Sequence, residues 1–318
     1  MKRVMRVALW IVAGLAVLAA GACASLQRPD IPYETLRTRY ANDASRFMDL
    51  PDGLKVHYRD QGNPNGPVII MVHGFSASLH AWEPWVAELG GDYRIITLDL
   101  PGHGLTEAPA TYASSLARYA EVVDTVALNL GVTTPYVVVG NSMGGGVAWT
   151  LALARPDRVR ALVLVDAVGP SMGEGPPPLM AGLVSSPFGR GMLRHLDLRG
   201  LATRGLVAAY ADRALVTPAL IDRYVDFSRA PGHRDILLNR RERGPRVTLA
   251  SLGAIKVPVL ILHGEKDALI PVGSSRDLAR AIAGSRLITY PGVGHVPMEQ
   301  IPAKSAADLR AFLEGLAD

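Results

Sequence analysis

The chain has 318 residues, 49% of them hydrophobic and 19% charged, with a formal net charge of +4. That much apolar material buries a substantial core, in one domain with an insertion or in two domains, so the chain reads as globular. The basic balance permits contact with anionic lipid, but no aromatic-basic platform, zinc spacing or basic helix points to nucleic acid. Cys23 stands alone, which excludes an intrachain disulfide and an all-cysteine metal site.

The chain opens MKRVMRVALWIVAGLAVLAAGACAS, with Lys2, Arg3 and Arg6 ahead of an uncharged stretch that continues to Gln27. This is the pattern of an export signal or a membrane anchor. About 20 apolar residues suffice to cross a bilayer, so length fits a cleaved signal and a retained helix equally. AGAC at 20 to 23 resembles the lipobox of bacterial lipoprotein signals, with Ala20 where that family usually has leucine. The resemblance implies lipidation of Cys23 and places the protein on a membrane. An uncleaved anchor and cleavage after an Ala-x-Ala site are the alternatives.

A polar tether is expected over 27–45, followed by alternating strands and helices. FMDL and LKVHYRD, separated by Pro51-Asp52-Gly53, predict a hairpin. VIIMV at 68–72 has no alternation and reads as a strand covered on both faces. Then come helix-like LHAWEPWVAEL, the strand RIITLDL, an amphipathic segment from Ser114 to Leu130, the strand YVVVG, a helix over 143–154 and the strand ALVLVDA. The succession predicts a parallel α/β sheet.

The rhythm breaks after GPSMGEGPPP, whose glycines and prolines continue neither strand nor helix. From 169 to 246 the chain reads as an arginine-rich helical insertion, most of whose arginines are expected to face solvent. The sheet resumes with VPVLILHGEKD, a helix near 273–283, the strand RLITY and a last helix over 302–316. The expected division is a signal or anchor at 1–26, the tether, a core of 46–168 and 247–318, and the insertion at 169–246.

GNSMGG at 140–145 lies between the strand YVVVG and a helix. So sharp a turn strains its middle residue and crowds its neighbours, so Gly140 and Gly144 are sterically demanded and the Ser142 hydroxyl stands clear. A serine hydroxyl needs a base, and the base needs an orienting acid. His295 in YPGVGHVPME and Asp267 in HGEKDALIP both follow strands, on the sheet edge where Ser142 sits. Asp166 also ends a strand and competes for the role of acid. Asp99 reads as a loop-stabilising residue, and His57, His80, His103, His195, His233 and His263 as structural or solvated. Oxyanion donors are expected from the amides of Phe75, after His73-Gly74, and of Met143 at the helix start.

Together HGF, DLPGHGLT, GNSMGG, Asp267 and GVGHVP resemble the α/β-hydrolase superfamily from about residue 45 to the end. The resemblance implies an eight-stranded, mostly parallel sheet with helices on both faces and the insertion as a helical cap. It further implies Ser142 as nucleophile, His295 as base then acid, Asp267 as orienter, and neither cofactor nor metal. Serine at the nucleophile position argues against the epoxide-hydrolase and haloalkane-dehalogenase branches. The expected activity is hydrolysis of small apolar carboxylic esters, as a carboxylesterase or lipase. GNSMGG also resembles the meta-cleavage-product hydrolases, in which Asn141 and an arginine from the cap would contact an acidic substrate, although Val296 stands where that group usually has tryptophan. A membrane-tethered binding protein that keeps the pocket without turnover is the non-enzymatic alternative.

Overall fold

The computed structural model describes residues 27–170, 196–238 and 247–316 without interruption, with scattered residues before 27 and between 171 and 195. Cys23 lies outside the described residues, as do 171–185 and 239–246 of the expected cap. Among the described residues no helix is long and apolar enough to cross a membrane.

Eight strands form one sheet: β1 (Ser45–Leu50), β2 (Leu54–Gly62), β3 (Val68–Val72), β4 (Arg94–Leu98), β5 (Tyr136–Asn141), β6 (Val159–Val165), β7 (Val259–Gly264) and β8 (Arg286–Tyr290). Their order is β1-β2-β4-β3-β5-β6-β7-β8. The β1–β2 hairpin and the β2–β4 pair are antiparallel, and every other pairing is parallel. After β3 the chain builds outward to β4, then returns to lay β5 on the other side of β3. That reversal opens a crevice at the carboxyl ends of β3 and β5, where ligands bind in open α/β sheets.

The unbroken apolar strands follow from burial on both sides. Ile70, Val72, Val138, Leu162 and Ile261 point into one apolar cluster, while Ile69, Met71, Val137, Val163 and Leu260 point into the other. The first cluster is closed by α3 (Leu116–Asn129), α4 (Met143–Ala154) and α8 (Val272–Ala281), and the second by α2 (Glu83–Leu89) and α10 (Pro302–Glu314). Ser115 Oγ caps α3 by accepting the Arg118 N–H at 3.1 Å. Leu79–Trp82 is a 3-10 turn rather than the start of α2, and Pro84 falls at the beginning of the α-helix, where its missing N–H costs nothing.

Between β6 and β7 the elements with described bounds are three α-helices, α5 (Arg199–Ala209), α6 (Pro218–Ser228) and α7 (His233–Leu238), two short 3-10 turns and no strand. One expectation needs correction here. The stretch read as a polar tether contains α1 (Tyr33–Tyr40), whose Leu36 is fully buried against Phe227 and Leu105. It is also fastened to the cap: Gln27 bridges Leu196, Arg28 pairs with Asp197 at 3.1 Å, and Ile31 N–H donates to Arg229 O at 2.8 Å. Among the described cap arginines, Arg234 is an exception to the expected solvent-facing majority. Arg234 is buried and donates to Arg28 O at 3.0 Å and to Asp30 at 2.5 Å.

Candidate active site

β5 ends at Asn141 and α4 begins at Met143, so Ser142 alone turns the chain, at φ 54° and ψ −119°. Such a conformation costs about 1–3 kcal/mol and persists only where the surroundings hold it. Here Ser142 N–H donates to Val165 O at 3.0 Å, and Ser142 O accepts from Gly145 at 3.0 Å and Val168 at 3.1 Å. A Cβ on Gly140 would lie 2.5 Å from Gly145 N, and one on Gly144 would lie 2.6 Å from His73 O. Neither site admits a side chain while the helix keeps its seat on β3 and β5.

Asp267 sits in the turn after β7. Its Oδ1 accepts the Leu269 and Ile270 amides at 2.7 and 2.9 Å, and its Oδ2 accepts His295 Nδ1–H at 2.7 Å. Burial raises the Asp267 carboxyl, but the hydrogen bond and charge of His295 and the two amides reverse this, leaving it below the usual carboxylate range. With Nδ1 committed as donor, the lone pair of His295 lies on Nε2. The carboxylate that holds His295 is thus Asp267 and not Asp166.

The histidine loop reaches the serine through Asn141. Its Nδ2 donates to His295 O at 3.0 Å and to Val165 O at 3.1 Å from a position only 3% exposed. Among the described residues Ser142 Oγ makes no hydrogen bond, so the serine turn is joined to the histidine loop by this strut to the backbone and not by a bond between the two side chains. This corrects the sequence expectation for Asn141, whose amide is spent on the protein and not offered to substrate. No motif announces it, because a hydrogen bond to a distant carbonyl leaves no spacing to read.

The loop after β3 closes the other side. A Cβ on Gly74 would lie 3.0 Å from Ser142 Cβ, so Phe75 follows immediately beside the serine. His73 locks the loop: Nδ1–H donates to Gly74 O at 2.7 Å and Nε2 accepts the Leu100 N–H at 3.0 Å, the pattern of a neutral ring, in keeping with burial pushing its proton affinity down. Asp99 supports the same loop by accepting the Leu79 and Leu105 amides at 2.7 and 2.8 Å and facing His57 Nδ1 at 2.7 Å. Met143 is the first residue of α4, where a helix leaves its amides without internal partners.

The cap touches the histidine loop directly. His295 N–H donates to Ala209 O, the last residue of α5, at 2.7 Å. Beneath it, α9 (Pro297–Gln300) carries Glu299, whose carboxyl burial pushes up to about 7, against the pull of Tyr210 and Arg223 from the cap.

The parallel sheet, the glycine-flanked serine turn and the late histidine and aspartate loops define a hydrolase class. The chain belongs to the Alpha/beta hydrolase family, which it matches over residues 69–308. It is 29% identical to a 2-hydroxymuconate semialdehyde hydrolase of Pseudomonas sp. (strain CF600), over 82% of this chain and 91% of that one. It is 27% identical to a pimeloyl-[acyl-carrier protein] methyl ester esterase of Nitrosomonas europaea, over 78% of this chain and 95% of that one. Among solved structures, the esterase RhEst1 from Rhodococcus sp. superposes with a TM-score of 0.70 at 26% identity, covering 86% of this chain and all of that one.

Proposed function

We infer that the protein hydrolyses carboxylic esters through an acyl-enzyme on Ser142. The observation that carries the reading is the 2.7 Å bond from His295 Nδ1 to Asp267, in a loop fastened by Asn141 to the strained turn of Ser142. In this scheme substrate binding closes the Ser142–His295 contact, as often happens on passing from the free to the occupied site. His295 Nε2 takes the hydroxyl proton as Ser142 Oγ attacks the ester carbon, and returns it to the departing alkoxide. The amides of Phe75 and Met143 receive the oxyanion. A water then attacks the acyl-serine by the same proton path, releasing the acid and restoring the serine. Two of the relatives described above are esterases, which supports an ester as substrate.

The semialdehyde hydrolase relative supports a second reading, cleavage of a carbon–carbon bond. Against it stand the committed amide of Asn141 and the valine at position 296. The deciding experiment is hydrolysis of p-nitrophenyl esters of graded chain length by the full chain, with Ser142→Ala alongside. Wild type should exceed the variant by about 10³-fold or more on its best ester. Equal rates on every ester would retire both the esterase claim and the role of Ser142.

The N-terminal segment extends the proposal: on its sequence, we infer export and membrane association, with Cys23 as the lipidated residue. Cys23→Ala should shift the processed mass and release the protein from the membrane fraction. An unchanged mass and unchanged fractionation would remove the lipid from the account.

A further inference from the structure

Beside the His295–Asp267 pair lies a second carboxyl that the reaction scheme leaves without a task. Asp166 follows β6 at φ 44°, a left-handed conformation uncommon for a residue with a side chain. It is fully buried, its N–H donating to Leu262 O at 2.9 Å. Oδ1 accepts the Gly264 amide at 2.9 Å, whereas Oδ2 is buried with no hydrogen-bond partner among the described residues. One oxygen of Asp166, one of Asp267 and a ring nitrogen of His263 lie within 4.8 Å of one another.

Among the described residues, the groups facing this pair supply no cation to Asp166. His263 Nε2 lies 3.1 Å from Ile270 O, which can only accept, so that nitrogen bears the hydrogen; Nδ1 then accepts from the Ser275 hydroxyl at 2.7 Å. The ring is neutral, and burial pushes its proton affinity down. With both nitrogens engaged, the cluster is not set up to hold a metal ion either. Tyr290, on β8 beside β7, gives its hydroxyl to Asp308 at 2.9 Å. His295 spends Nδ1–H on Asp267. Two carboxylates this close in a dry site do not both ionise. Asp267 has three donors and Asp166 has one, so the single negative charge settles on Asp267. Burial first, then the charge of Asp267, pushes the Asp166 carboxyl well above its ordinary range.

We propose that Asp166 is a neutral carboxylic acid whose Oδ2–H donates to the Asp267 carboxylate, making it the positioning residue that holds the acid partner of His295. The inference rests on the serine-hydrolase reading of the same site. The unpartnered oxygen thereby becomes a donor, and Asp267 gains a fourth hydrogen bond that fixes its plane and tempers its charge towards the imidazole. The strained backbone has a purpose in this arrangement, since it turns the Asp166 side chain back towards the β7 turn and not outward along the strand.

The test is the pH profile of kcat/KM for p-nitrophenyl butyrate, measured on the full chain and its variants. Asp166→Asn keeps an acceptor for Gly264 and a donor for Asp267, so its acid limb, which reports imidazole protonation, should stay within about 0.3 pH unit of wild type. Asp166→Leu keeps the branched shape, with somewhat more bulk, but offers no donor, so Asp267 holds the imidazolium more tightly and the limb should rise by about 0.5–1 unit, with kcat down about tenfold. An ionised Asp166 would give the opposite sign, because Asn would then delete a negative charge and lower the limb by about a unit. That fall overturns the proposal, as does a folded Leu variant with an unmoved limb; should the Leu variant not fold, the Asn limb decides alone. Ser142→Ala run in parallel separates the two claims. If it matches wild type the serine reading fails, and if it is inactive while the Asn limb falls, only the Asp166 assignment fails.

Discussion

Asn141 offers the sharpest test of how this site is assembled, because a strut and a substrate ligand respond differently to its loss. Asn141→Ala removes two hydrogen bonds, of 3.0 and 3.1 Å. Val165 O keeps the Ser142 N–H as a partner, but His295 O is left buried without a donor. Two net hydrogen bonds plus one orphaned carbonyl amount to about 2–4 kcal/mol. In a chain of this size that corresponds to a fall in Tm of roughly 3–6 °C. Asn141→Asp should be worse than Ala, because its carboxylate oxygens would face the two carbonyls, and worse at pH 8 than at pH 5 as the side chain ionises. Loosening the histidine loop by about 1 Å should lower kcat by up to about 10²-fold. The assays are thermal and urea melts at the two pH values and steady-state kinetics on one short and one long ester. An Ala variant with unchanged stability and kcat but a raised KM would refute the strut and return Asn141 to the substrate.

Three further outcomes are expected. Gly144→Ala sets a methyl group against the carbonyls of Val72 and His73, backbone atoms that cannot rotate away; α4 must retreat, at a cost of about 3 kcal/mol or more in a urea melt, and normal stability would show that the helix has slack. Glu299 has a folded-state value raised from 4.5 to about 7, so its contribution is fully present below pH 4.5 and is lost as pH rises through 7, worth about 3 kcal/mol in all. Glu299→Gln should therefore flatten the fall in stability between pH 5 and 8, and parallel slopes for wild type and variant would refute it. Asp267→Asn should lower kcat by about 10⁴-fold with little change in KM, since the wrong imidazole tautomer would be held; a loss below tenfold would move the orienting role elsewhere.

The sheet was legible because central strands must be apolar on both faces: VIIMV, YVVVG, ALVLV and VLIL admit few other readings. The serine turn was legible for a steric reason, glycine being the only residue that fits where two backbone segments nearly touch. α1 was not legible. Its surface is almost wholly polar and a single leucine, Leu36, supplies its fully buried side chain, so no period marks it as a helix. Asn141, Glu299 and the proposed work of Asp166 escaped for a related reason. Each acts on groups far along the chain, and only the closed fold shows what a lone polar residue in an apolar segment meets.

The join between Ala209 O and the His295 amide, with residues 27–31 laced to the same cap, bears on how such a hydrolase could be re-engineered. Its cap is not an exchangeable part. Transplanting another family member's insertion at the β6 and β7 boundaries would cut the backbone bond beside the base and strand Arg28, Asp30 and Ile31 without their partners. A working chimera has to carry the N-terminal lacing along with the helices, so specificity in this protein is better altered side chain by side chain than by wholesale grafting.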